Sequence, residues 1–309
     1  MLNDLVKRCR PLSSQATLCI LGAGFSGSHL AKLSKALGMR VICTRRRPEP
    51  GSNNLSFDST IGILPNREAL ESVTHLVSTI PPTKEGTDPV LSALGELLHQ
   101  LPLQWVGYFS TTGVYGNSNG NWVYETDEPK PTQIRSKRRL ECELLWRNTD
   151  LPVQILRLPG IYGPGRSPLA AIHSGQLKPV DKPEQMFCRI HVDDVAGACL
   201  HLMHQAAIGQ QPKVINISDN RPASSLEVHR YAARLVQCEL PSPIPFRNAQ
   251  ANMSPMALSF WADNRKVSNV RLREELGYSL MHPDFQSGLQ DCYQAEGFSE
   301  MNPDPTVEP

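Results

Sequence analysis

The chain has 309 residues, with 31 Lys plus Arg against 30 Asp plus Glu and a formal net charge of +1. That length fits one large α/β domain with a smaller appended lobe, and the near-even charge argues against nucleic-acid or membrane-surface partners. Eight scattered cysteines, with no CxxC pair and no His/Cys cluster, argue against a zinc site and read as reduced, cytoplasmic thiols.

Residues 1–15 read as a surface arm with one helical turn, and no apolar run of secretory type follows them. Thr17-Leu18-Cys19-Ile20-Leu21 is a short apolar strand that breaks into Gly22-Ala23-Gly24-Phe25-Ser26-Gly27. A helix is expected next, because Leu30, Leu33 and Leu37 recur at helical spacing and Gly38 stops it. Arg40–Thr44 is the following strand. A unit of strand, glycine turn, helix and strand implies a parallel sheet.

The alternation continues with strand His75–Ile80, ended by Pro81-Pro82, helix Pro89–His99 and strand Trp105–Ser110. Helix Arg135–Arg147 follows, with Leu140 and Leu144 expected inward, then strand Val153–Leu158. Helix Val195–His204 is expected to be capped by Asp193 or Asp194, and Val214–Ile217 is the last core strand. After Ser218 the texture changes. Ser224-Ser225-Leu226-Glu227 is a capping box that opens a helix, 241–245 is a rigid proline connector, and Ser268–Leu276 is a helix closed by Gly277. The polar, Pro-bearing tail after Gly297 is expected to be disordered. No stretch approaches transmembrane length.

Gly22, Gly24 and Gly27 have the GxGxxG spacing of a dinucleotide turn. The first permits the tight turn, the second lets backbone approach a pyrophosphate, and the third lets helix and strand pack closely. The helix start at Phe25 and Ser26 then offers free N–H groups and a partial positive charge to phosphates. An NAD site usually places an acid about 20 residues on, to bond the ribose 2′-OH. Here the second strand ends Thr44-Arg45-Arg46-Arg47. A guanidinium fork suits a 2′-phosphate, so NADP is the preferred cofactor, with Arg45 and Arg46 as contacts and NAD as the alternative.

Five ordered segments carry a resemblance over nearly the whole chain. They are Ser110-Thr111-Thr112-Gly113-Val114-Tyr115-Gly116, Trp122-Val123-Tyr124-Glu125 with Pro131, and Leu156-Arg157-Leu158-Pro159-Gly160-Ile161-Tyr162-Gly163-Pro164-Gly165. Arg189-Ile190-His191-Val192-Asp193-Asp194-Val195-Ala196 and Asn269-Val270-Arg271-Leu272-Arg273-Glu274-Glu275-Leu276-Gly277-Tyr278 complete the set. Together they resemble atypical members of the extended short-chain dehydrogenases/reductases, of the NAD-dependent epimerase/dehydratase type. The resemblance implies a Rossmann-type doubly wound parallel sheet with a smaller C-terminal substrate lobe, and a homodimer through paired helices. It implies that Asp58 contacts the adenine, that Ile80, Pro81 and Pro159 line the cofactor, that Thr111 orients the substrate oxygen, and that Lys137 holds the nicotinamide ribose.

The pattern departs from the family at one place. The family's active-site helix carries a Tyr four residues before the Lys, where Gln133 stands here before Lys137. An i, i+4 pair shares a helix face. A phenol with a pKa of about 10 can be drawn toward phenolate by an ammonium, whereas an amide does not titrate. None of the seven tyrosines has Lys four residues later; Tyr162 is followed there by Arg166. Tyr115 and Tyr162 take packing or wall roles under the resemblance, and His191, just before a helix cap, reads as structural. Asp193 and Asp194 read as a cap and a backbone tie, with no further clustered ligand to suggest a metal.

Residues 1–165, continued by 188–218, are expected to form the dinucleotide-binding domain, and 219–309 with the insert 166–187 the substrate lobe. Ligand should lie beyond the carboxyl ends of the strands, where strand order reverses, and Arg247 is a candidate reader of substrate. The expected function is NAD(P)-dependent oxidoreductase or epimerase chemistry on a carbonyl or carbinol of a small molecule, with a nucleotide-linked sugar as a candidate. The alternative is a non-catalytic NADP-binding sensor, because function lives in the site rather than the fold.

Overall fold

The computed structural model describes residues 2–298. Seven strands build one sheet: β1 Thr17–Leu21, β2 Arg40–Arg45, β3 Leu55–Ser56, β4 His75–Ser78, β5 Trp105–Thr111, β6 Val153–Leu158 and β7 Val214–Asn216. Their order is β7-β6-β5-β4-β1-β2-β3, and every pairing is parallel. This is the Rossmann-type doubly wound sheet. A parallel strand is covered on both faces and so reads as a continuous apolar run; every residue of β1 is buried. Strand order reverses between β1 and β4, which opens a crevice at their carboxyl ends. Leu21 pairs with Ser78, so Gly22 and Thr79 emerge side by side into it.

The helices that frame the site are α1 Leu2–Arg8, α2 Phe25–Ala36, α3 Pro89–Leu98, α4 Ile134–Arg147, α5 Val192–Ala207, α6 Ser225–Leu235, α7 Pro255–Trp261 and α8 Phe285–Ala295. α1, α2 and α5 cover one face, where Leu5, Leu30, Leu33 and Cys199 join Leu18 and Ile20 in one buried cluster. α3 and α4 cover the other, with Leu94, Leu98 and Trp146 against Leu21 and Leu76. Each fully buried Leu of this kind stabilises the fold by about 1.5–3 kcal/mol. A separate cluster of Tyr162, Leu169, Val228, Phe285 and Leu289 forms the core of the C-terminal part. Among the described residues no helix is long and apolar enough to cross a membrane.

Several expected elements need correcting. In the N-terminal arm only Leu2–Arg8 is helical, and its Leu5 is buried where a surface segment was expected. Leu144 is 47% exposed; the inward side of α4 carries Ser136, Cys142, Glu143 and Trp146 instead. α5 begins at Val192 and is capped by neither aspartate: His191 Nδ1 accepts the Asp193 N–H at 3.3 Å. The tie expected of the aspartates is present, since Asp194 accepts the N–H groups of Met281 and His282 at 2.7 and 2.8 Å. The helix expected over Ser268–Leu276 shrinks to one wide turn at Arg271–Glu275, because Lys266–Val267 pairs as a strand with Trp122–Val123 immediately before it. The connector at 241–245 contributes Ile244–Pro245 to a two-strand pairing. The expected disordered tail lies outside the described residues from position 299 on; Phe298 itself is buried.

Candidate active site

Two adjoining cavities open at the crevice. The first, of about 760 Å³, is lined by Gly22, Ala23, Gly24, Thr44–Arg47, Phe57–Thr60 and the stretch 79–85. Its floor is the glycine turn. Gly22 holds φ +89°, and a Cβ there would come within 2.7 Å of Ile80 Cγ1. Its N–H donates to Thr44 Oγ1 at 3.1 Å, and its carbonyl accepts from the Thr79 hydroxyl. A Cβ at Gly27 would come within 2.8 Å of Gly22 O, so only glycine lets α2 start this close to β1. Above Gly24 the space is open except for Gly22 O at 4.0 Å. The first amides of α2 have no intrahelical acceptors and follow directly on Gly24, which lines this space; a helix start of this kind suits a pyrophosphate.

The structure gathers Gly22, Gly24, Arg45, Arg46, Asp58, Ile80 and Pro81 on this one cavity. Phe25, Ser26 and Gly27 stand beside it in the first turn of α2. Arg45 is steadied by donating to Ser28 Oγ at 2.9 Å, while Arg46 is exposed. Asp58 accepts from the Thr60 hydroxyl at 2.6 Å and the Thr60 N–H at 3.0 Å. Those bonds hold its carboxyl below the usual range.

The second cavity, of about 770 Å³, shares the wall Pro81–Lys84 with the first. Thr111, Gln133 and Pro159 line it. Thr111 Oγ1 accepts the Gly113 N–H at 3.1 Å, which leaves its proton to donate. Lys137 does not come to the site. It is exposed and absent from the lining, whereas Arg135, Arg138 and Arg139 are present. Gln133 lines the cavity but is the N-cap of α4, with φ −87° and ψ 138°, so its side chain does not leave at a helical angle and a helical turn counted from it does not bring Lys137 to the same face. The i, i+4 pair on the cavity is Arg135 and Arg139. Arg139 Nη1 donates to Phe109 O at 2.9 Å, Tyr108 Oη at 3.2 Å and Ile80 O at 3.3 Å. It therefore joins the ends of β4 and β5 at the junction of the two cavities.

Beneath the second cavity lies a buried ion pair that the sequence reading missed. Arg157 Nη2 meets Glu143 Oε2 at 2.7 Å and its Nε meets Oε1 at 3.1 Å; the Ser110 hydroxyl also donates to Glu143. The side chains are 3% and 1% exposed. The Tyr115 ring lies 4.7 Å under the guanidinium, and its hydroxyl donates to Asn216 Oδ1 at 2.7 Å. Burial raises the Tyr115 and Tyr162 pKa values. Neither phenol lines the cavity. The spacing of Ser136, Arg139, Glu143 and Trp146 was the available signal: it is a helical stripe, and it sets the phase of α4 that Leu144 misstates, while Leu140 packs half-buried against Val114 and Val267 as expected. Arg247, the candidate substrate reader, also lies outside the lining.

The fold also gathers the clustered ligands that the sequence reading did not find. One ligand atom each from His191, Asp193, His282 and Asp291 lies within 4.8 Å of the others, all buried. His191 Nδ1 is engaged as an acceptor, so the ring proton sits on Nε2, facing Asp291 Oδ2 at 3.5 Å. A protonated ring nitrogen donates and does not ligate. His29 Nδ1 approaches Asp193 Oδ1 at 3.4 Å. The cluster therefore reads as imidazoles facing carboxylates around the start of α5, outside both cavities.

Comparison with known proteins gives a consistent result. The sequence pattern of the NAD dependent epimerase/dehydratase family matches residues 18–218. Protein YeeZ of Escherichia coli (strain K12) is 31% identical over 288 residues, which cover 86% of this chain and 96% of YeeZ. A functionally unknown conserved protein from Silicibacter pomeroyi DSS superposes with a TM-score of 0.81 at 36% identity, over 90% of this chain and 98% of that one. Human epimerase family protein SDR39U1 (isoform 2), solved with NADPH, superposes with a TM-score of 0.70 over 90% of this chain and 99% of that one. At 18% identity the human protein shows a shared fold.

Proposed function

We propose, from the premise that this chain belongs to the NAD dependent epimerase/dehydratase family, that it binds NADP and interconverts a carbonyl and a carbinol on a small molecule. A nucleotide-linked sugar is the candidate substrate. The observation that carries this reading is the glycine cradle of the first cavity opening directly onto the second, where Thr111 waits.

Bound nicotinamide would supply the hydride chemistry. Gly22, Gly24 and the α2 amides hold the diphosphate, and Arg45 and Arg46 hold a 2′-phosphate. Asp58 lies at the adenine end. Arg139, in place of Lys137, holds the ribose at the nicotinamide end. Thr111 donates to the substrate oxygen and orients it. None of the three guanidinium groups that α4 brings to the cavity gives up a proton near neutrality, so solvent carries the proton. That loses the ~10²–10⁴-fold of a positioned acid or base, and slow turnover is expected.

A second reading, a dinucleotide sensor, is favoured by the same wall, because the cavity face of α4 offers guanidinium groups and an amide but no group that titrates near neutrality. One experiment separates the two. NADPH and NADH are titrated calorimetrically, then coenzyme oxidation is followed with a panel of sugar nucleotides and carbonyl compounds. NADPH binding with turnover supports the enzyme. Binding with no turnover across the panel supports the sensor, and failure to bind either coenzyme overturns both. In the same titration Arg45→Ala should cut the preference for NADPH over NADH by about tenfold, the ~1.4 kcal/mol of one lost charge-assisted contact.

A further inference from the structure

We propose that the second cavity grips a small oxyanion, a phosphate or carboxylate group of its ligand, on the α4 wall beside Thr111, with Arg135 as the principal contact and Arg138 and Lys84 around it. This rests on the reading of that cavity as the substrate site and specifies what the substrate carries at its reacting end.

The first observation is the concentration of charge. The whole chain carries +1, yet seven basic side chains line this one cavity against a single carboxylate, Asp263. Three of the seven already donate to protein oxygens, and a fourth, Arg166, belongs to the 159–166 turn and not to the α4 wall. Arg265 meets Asp263 at 3.3 Å and Gly116 O at 2.8 Å. Arg189 donates to Phe187 O and Ala223 O at 2.9 and 3.1 Å. Arg139 holds the strand ends, and Arg166 lies 5.4 Å over the Phe25 ring. Arg135, Arg138 and Lys84 remain. Among the described residues no hydrogen bond or ion pair to a carboxylate engages any of these three.

The second observation is how Arg135 is held. Its guanidinium lies 4.2 Å over the Phe260 ring, on the neighbouring helix α7. Stacking fixes the plane of the fork while leaving its N–H edges free. Arg135 and Arg138 stand at i, i+3 on one helix, where like charges repel. An oxyanion between them removes that repulsion and accepts charge-assisted bonds from both.

The third observation is the place. α4 packs on the turn that follows Thr111: a Cβ added at Gly113 would come within 2.6 Å of Ser136 Oγ, the residue beside Arg135. The anion therefore sits next to the hydroxyl that meets the reacting oxygen. On this wall α4 presents guanidinium groups that can bind an anion but cannot exchange a proton near neutrality.

The test is calorimetry on the full chain at low ionic strength, with saturating NADPH, using inorganic phosphate, citrate and uncharged erythritol as probes. Wild type is compared with Arg135→Gln, the double variant Arg135→Gln/Arg138→Gln, and the charge-keeping Arg135→Lys. Phosphate or citrate should bind and erythritol should not, and the tighter of the two anions identifies the oxyanion. Arg135→Gln should weaken anion binding about tenfold and the double variant further, while Arg135→Lys retains part of the affinity. Raising the salt should weaken binding in wild type. NADPH affinity should stay within about threefold, since Arg135 lies outside the first cavity. An anion that binds wild type and the double variant equally sits elsewhere and overturns the proposal, as does binding of neither anion. The two readings fail separately. Anion binding without NADPH binding upholds this site and sinks hydride transfer; NADPH binding without anion binding does the reverse.

Discussion

The two cavities are built by different means. The first is made by backbone: a glycine turn at positive φ, the amides at the start of α2, and the ends of two paired strands. The second is made by side chains brought from β5, α4, the 159–166 turn, the 186–189 stretch and α7. Backbone geometry demands glycine at set spacings, so it leaves a mark in the sequence. A wall assembled from separate elements leaves little: Arg135, Arg138 and Arg139 share α4, but Arg166, Arg189 and Arg265 come from elsewhere in the chain and need no fixed separation from them.

The largest expected effect lies under the second cavity. Glu143→Ala leaves the Arg157 charge buried without its partner and should cost about 3–5 kcal/mol in denaturant unfolding. A loss below about 1 kcal/mol would mean that this floor is held by packing and that the contrast with the first cavity is overstated. Gly22→Ala attacks the other region. It forces a side chain into positive φ against Ile80 and should cost about 1–3 kcal/mol while abolishing NADPH binding; near wild-type affinity by calorimetry would break the comparison.

A smaller effect asks whether the scaffold behaves independently of either cavity. Burial pushes His75 down to about 4 and His191 down to about 3. The unfolded chain takes up protons near 6.5 while these folded imidazoles stay neutral. Their stabilisation is therefore complete above pH 6.5 and is lost as pH falls toward 4 and 3. Each accounts for about 1 kcal/mol between pH 6.5 and 5.5. Asp219, pushed up to about 8 by burial, works in the opposite sense: its contribution is full at low pH and is lost as pH rises toward 8. The difference between variant and wild type isolates each group, and His75→Gln should flatten the melting-temperature profile over that unit by its share. An unchanged profile would mean His75 gains its proton in the folded state. The smallest effect is at Lys137. Lys137→Ala should change stability by under about 0.5 kcal/mol and leave NADPH affinity intact, whereas Arg139→Ala should weaken it; the opposite ranking would restore Lys137 to the site.

Much of the fold was readable without coordinates, for definite reasons. β1, β4, β5 and β6 are apolar runs because both faces of a parallel sheet are covered. Ser224 marks a helix start because exposed amides need an acceptor. The reading failed where a short periodic pattern had two phases. Leu140 does pack against Val114 and Val267, but Leu144 is exposed, and the side chains pulled fully inward are Glu143, by Arg157, and Trp146, whose Nε1 donates to Asp88 at 2.9 Å. That rotation moves Lys137 into solvent and brings Arg135 and Arg139 to the cavity. The cap of α5 was misplaced for a related reason: an aspartate is the usual cap, but here both aspartates face partners distant in sequence, leaving the amide to His191.

The sequence by itself determined the sheet, the crevice and the dinucleotide turn, because local sterics and burial on both faces admit few alternatives to glycine and to apolar strands. Only the tertiary structure decided which face of α4 looks into the second cavity, and so which cations meet a ligand there. That choice depends on Glu143 finding Arg157 and on Trp146 finding Asp88, contacts between residues far apart in the chain or across elements, which no local periodicity encodes.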